Sequence, residues 1–102
     1  MEENVALIKE IRENSDRGLI ALIDARHIYS LTFDVVGECD FDVMLRDNVK
    51  GKILKTVNKH SQMISGSYKF TLLTLEDGML NYRFRGAGKG IIENIKVIKG
   101  GK

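Results

Sequence analysis

Two short stretches hold side chains whose types and spacing could do chemistry. Asp42 and Arg46 share one phase of CDFDVMLRD, and Asn81, Arg83 and Arg85 alternate along LNYRFR. Residues two apart on a strand share a face, so each set projects from one side of its strand. Guanidinium forks and carboxylates make bidentate, charge-assisted contacts. If the two strands are neighbours, these five residues form a polar groove suited to sugar hydroxyls or carboxylates. The competing reading is a solvated sheet face with cross-strand ion pairs worth about 0.2–1 kcal/mol each.

Other reactive residues carry less. His27 and His60 lie in expected turns, and neither has a Ser, Cys or carboxylate at a spacing that implies a triad. Asp40 and Asp42 share an outward face and could serve acid–base chemistry or a cation; a solvated pair is the simpler reading. Cys39 with the two His residues does not match a zinc spacing, and one Cys cannot form an internal disulfide. GAGKG at 86–90 lacks the spacing of a phosphate loop and precedes β-branched residues, so it reads as a hairpin turn. No catalytic residue, metal ligand or cofactor is assigned.

The elements that must position these groups are strands. Tyr68, Phe70 and Leu72 alternate with polar residues up to Glu76-Asp77-Gly78, a strong hairpin signal, after which Leu80, Tyr82 and Phe84 resume the alternation. Ile91 to Ile98 is β-branched. Upstream, Leu19–Asp24, Ile28–Val36, Cys39–Arg46 and Lys52–Val57 read as strands, with Gln62–Ile64 as a short edge strand. Turns are expected at Gly37-Glu38, Asp47-Asn48 and Ser65-Gly66. Seven or eight strands at roughly ten-residue spacing suggest a β-sandwich or jelly roll. Met44, Leu73 and Leu75 point outward by strict alternation, which suggests a covered second face.

Glu2 to Asn14 reads differently. Val5, Ile8 and Ile11, with Leu7, recur at helical spacing, and Glu2 and Glu3 suit a helix start. Met1, Asn4, Ile8, Ile11 and Ser15 can be placed on a heptad seam. A three-turn helix is marginal alone in water, so its stripe must pack on the domain or on copies of itself. The 102 residues suffice for one core. A net charge of +2 argues against a nucleic-acid binder built on a concentrated basic patch. The acidic N-terminus has no apolar leader, and no run approaches the roughly 20 apolar residues of a membrane span.

From Ile28 onward the chain resembles the carbohydrate-binding-module-like (galactose-binding-domain-like) jelly roll. Tyr29-Leu31-Phe33, Phe41-Val43-Leu45, Tyr68-Phe70-Leu72 and Gly88-Gly90-Ile92-Glu93-Asn94-Ile95 carry the resemblance over about 70 residues. The resemblance implies a sandwich and a glycan ligand. Glu93 stands where that family has an Asp associated with structural calcium, so calcium is not expected. The chain has no Trp, and its three Tyr fall on inferred core faces, which weakens the sugar-stacking part of the implication. ENSDRGLIALIDARH, through Asn14, Ser15, Asp24, Ala25 and Arg26, also resembles a segment found where stems meet heads in bacteriophage tail and receptor-binding proteins.

These readings combine into an all-β jelly-roll β-sandwich of seven or eight antiparallel strands with one short N-terminal helix. Residues 1–17 form the helix and residues 18–102 the sandwich. The expected role is a non-enzymatic structural or adhesion module of a phage virion, extracellular once assembled and lacking a signal peptide. It would be a homo-oligomer, a trimer by preference, meeting other virion proteins through Val5, Ile8, Ile11 and Met44. The alternative is a carbohydrate-binding module using Asp42, Arg46, Asn81, Arg83 and Arg85. Neither reading involves nucleic acid, membrane insertion or a cofactor.

Overall fold

A computed structural model describes residues 3–12, 16–85 and 90–100, with only the backbone at 60 and 61. Its strands are β1 (Glu3–Asn4), β2 (Arg17–Ile23), β3 (Ile28–Asp47), β4 (Ile53–Leu73), β5 (Gly78–Arg85) and β6 (Ile91–Lys99). They form one antiparallel sheet in the order β1-β6-β3-β5-β2, with β4 on the other side of β3. The strand count is six among the described residues, because two expected turns are bends inside long strands. Gly37-Glu38 is a bulge within β3, and Ser65-Gly66 lies opposite it within β4. Gly37 has φ of 87°, Gly66 has φ of 157°, and the Gly37 N–H donates to Ser65 Oγ at 2.8 Å. A glycine-bearing bulge bends a strand without ending its pairing. The backbone of His60, expected in a turn, likewise pairs inside β4, opposite Phe41.

That bend makes the sandwich. The first half of β3 pairs with β6 and the end of β4; the second half pairs with β5 and the start of β4. Phe33 and Phe41, eight residues apart, would stand about 26 Å apart on a straight strand. Their ring centroids are 5.1 Å apart, edge to face. The sheet therefore curls so that its two halves face one another across one core. Tyr29, Leu31, Phe33, Val35, Cys39, Phe41, Val43 and Leu45 all point into it. Alternation alone puts every odd position of β3 on one face, and the bulge preserves that phase. Gly90 is needed where β6 begins, because a Cβ there would lie 2.6 Å from the Cβ of Cys39.

Residues 3–12, expected to be helical, are not a helix. They run extended between β6 and β2 and link the two halves of the sheet. Val5 N–H donates to Val97 O at 2.8 Å, Ile11 and Ile92 exchange both backbone bonds, and Ile95 N–H donates to Lys9 O at 3.0 Å. On its other side Leu7 N–H donates to Ile20 O at 2.7 Å. Two exposed sheet edges need backbone partners, and a short helix that is marginal by itself loses to that demand. The apolar stripe still packs, but on this chain's own core: Ile11 is 1% exposed, and Val5 and Ile8 lie against the same cluster. Residues 3–12 thus belong to the sandwich. Met1, Asn14 and Ser15, which the heptad and stem-like readings used, lie outside the described residues, as do residues 86–89 of the expected GAGKG turn.

Turns are locked by side chains. Asp47 accepts backbone hydrogen bonds from Val49, Lys50 and Lys52 at 2.9, 2.6 and 3.0 Å, so the expected Asp47-Asn48 turn is present. Asp77 accepts from Ala25 N–H at 2.8 Å, and Arg26 N–H donates to Thr74 O. The β2–β3 and β4–β5 turns are therefore stitched together. Asp34 bridges three strands, accepting from Ser67 Oγ at 2.7 Å and Asn94 Nδ2 at 2.8 Å.

Candidate ligand groove

The outer face of one half of the sheet carries a groove of about 790 Å³. Its floor is ordered by strand register. One row runs Arg17, Arg83, Asp42, Lys59 across β2, β5, β3 and β4. The next runs Leu19, Asn81, Met44, Thr56, and a third runs Met79, Arg46, Ile53. All of these residues line the groove, with Gly18 and Tyr82 at its floor. Gly18 lies opposite Tyr82, and a Cβ on it would meet the Tyr82 ring at 2.7 Å. The absent side chain leaves room for that ring, and Tyr82 is 6% exposed.

Four of the five residues expected to bind a ligand are thus brought together: Asp42, Arg46, Asn81 and Arg83. Arg85 is not among the lining residues; it is exposed at the end of β5, opposite Asp40. Met44, expected at an oligomer interface, is half-buried in the groove. Leu73 and Leu75, also expected to be covered, stay 50% and 77% exposed. Arg17, Leu19, Thr56, Lys59 and Ile53 join the groove without a signal in the sequence pattern, and Met79 joins it on the outward phase of β5. For β2 the reason is a bulge between Leu19 and Ala21, which puts Ile20 and Ala21 both inside and hides the alternation. For β4 the shifts opposite Val43/Met44 and Leu45/Arg46 do the same. The signal left in the sequence was the alternation within β3 and β5; their pairing in the structure sets Asp42 against Arg83.

The groove's polar groups are unevenly satisfied. Arg46 donates to Gly51 O at 2.8 Å, tying it to the β3–β4 turn. Asn81 Oδ1 and Arg83 Nε are shielded from solvent and have no hydrogen-bond partner among the described residues. Each such group costs about 1–3 kcal/mol if left unsatisfied. Arg17 and Lys59 make no side-chain hydrogen bond or ion pair with described residues. No group of three or more His, Cys, Asp or Glu able to hold a metal occurs among the described residues. His27 Nδ1 is shielded and unpartnered, but it sits in the β2–β3 turn, away from the groove.

The fold has known counterparts. It is similar to the CBM22-1 xylan-binding domain from Paenibacillus barcinonensis Xyn10C, with a TM-score of 0.57 over 97% of this chain and 92% of that one, at 6% identity. A carbohydrate-binding module from Cellvibrio mixtus lichenase 5A, solved with cellotriose, aligns over 100% and 87% of the two chains at 9% identity and a TM-score of 0.39. No protein-family model matches the chain, and no curated protein matches its sequence. The first of these likenesses defines the fold: the chain is a β-sandwich similar in fold to that xylan-binding domain.

Proposed function

We propose that this protein is a non-catalytic carbohydrate-binding module and that the groove across β2, β5, β3 and β4 is its binding face. The observation that carries the reading is the groove floor itself. It offers Asn81 and Arg83 with unsatisfied polar atoms beside apolar Leu19, Met44 and Met79. A sugar presents hydroxyls that both donate and accept, along with patches of C–H surface. A rotamer change at either side chain would bring those atoms to such a ligand and remove the cost of leaving them unpaired. The fold likeness agrees with this reading.

A structural role in a phage particle drew on an N-terminal helix that would bundle in a trimer. That segment now closes its own sandwich, with Ile11 inside the core, so the reading has lost its helix and keeps only the outward apolar residues such as Leu73 and Leu75. The test is affinity gel electrophoresis against a panel of neutral and acidic polysaccharides. Retardation by at least one, lost in Asn81→Ala and kept in Lys69→Ala on the other half of the sheet, supports the module. Retardation that Asn81→Ala leaves unchanged, or none with any polysaccharide, refutes it.

A further inference from the structure

We infer that the groove selects an acidic polysaccharide, one whose sugars carry carboxylates, over a neutral one. This rests on the binding-face reading above and adds the ligand's charge. Among the described residues, four of the fourteen Lys and Arg line the groove, against one of the twelve Asp and Glu. That leaves ten cations against eleven carboxylates elsewhere among them, so their positive charge is concentrated on this face.

The arrangement is more telling than the count. Arg17 and Arg83 stand directly opposite one another on β2 and β5. Like charges in cross-strand register are destabilising, and Arg17 has no anionic partner among the described residues. Asp42 follows on the next strand and Lys59 on the one after. With strands about 4.8 Å apart, the row presents cations over roughly 14 Å. An anion set between Arg17 and Arg83 would turn their repulsion into two charge-assisted contacts.

The lining also excludes other ligands. Among the described residues, Tyr82 is the only aromatic one in the groove's lining, and its ring is buried in the floor. Stacking on a neutral pyranose or a nucleobase therefore has no exposed platform among these residues. Asp42 in the middle of the row would repel a polymer with several charges per unit, such as a sulfated glycan or a nucleic acid. It suits a chain carrying one carboxylate per sugar, whose hydroxyls can donate to it.

The experiment is binding of the full chain to polygalacturonate, to the same polymer with its carboxylates methyl-esterified, to neutral xylan, to heparin and to duplex DNA. Expected is binding to polygalacturonate that esterification abolishes. Arg17→Gln and Arg83→Gln should each weaken it about tenfold, the scale of one charge-assisted hydrogen bond, without lowering the thermal unfolding midpoint. Equal binding to the esterified polymer or to xylan overturns the charge inference and leaves the module reading standing. Equal or tighter binding to heparin or DNA overturns it in favour of a general polyanion site. Binding to none of the five overturns it together with the binding face.

Discussion

Replacing Ile11 by Ala tests whether the N-terminal segment is part of the sandwich. Ile11 is 1% exposed and pairs with Ile92 through both backbone bonds. Truncating a buried Ile to Ala costs about 2–5 kcal/mol, from lost transfer free energy and the cavity left behind. A slope of about 1.5 kcal/mol per molar urea suits a chain this small, so the midpoint should fall by roughly 1.5–3 M. Leu7 is 60% exposed, and Leu7→Ala should stay within about 0.5 kcal/mol, or roughly 0.3 M. Both variants are measured by equilibrium urea unfolding at several protein concentrations. If the segment instead folded as a helix bundling between chains, the midpoint would rise with concentration. A concentration-dependent midpoint, or equal shifts for Ile11→Ala and Leu7→Ala, refutes the strand-like closure.

Further expectations concern single positions. Gly90→Ala must move the start of β6 away from Cys39 and should cost about 1–3 kcal/mol, read as a lower melting temperature; an unchanged one contradicts the close approach. Asp34 is held below the usual carboxylate range by hydrogen bonds from Asn94 and Ser67, and Asp47 by backbone N–H groups, that of Lys50 first. A carboxyl lowered in the folded state stabilises above its unfolded pKa near 4, and that contribution is lost as pH falls through the folded value. Urea midpoints should therefore drop below about pH 4, and the drop should shrink in Asp34→Asn and Asp47→Asn; identical pH profiles would count against both assignments. Cys39 is 2% exposed, and burial pushes its thiol up to about 11. It should resist alkylation at pH 8 until the chain unfolds, whereas rapid labelling of the native protein would place it elsewhere.

The strand content was legible because alternation is a local property. Tyr29 to Val35, Phe41 to Leu45 and Leu80 to Phe84 each show their inward face in the order of residues alone. The same alternation put Asp42 and Arg46 outward on β3 and Asn81 and Arg83 outward on β5. Strand length was not legible. Gly37 and Gly66 look the same whether a chain turns or merely bends, and only their facing each other across β3 and β4 makes them a shared bend.

What lay beyond local order was the identity of neighbours. The spacing of Val5, Ile8 and Ile11 fits a helix, and no local rule reveals that β6 and β2 each need a backbone partner at that place. Arg17 joined the groove only because β2 pairs with β5, and Lys59 only because β4 pairs with β3. Side-chain alternation is set by the chain's own stereochemistry, so each strand's inward face could be read along one stretch. Closure of the sheet and the gathering of charge came from pairing between segments up to 96 residues apart, such as Glu3 and Lys99, where edge hydrogen bonds and core burial outweigh local preference.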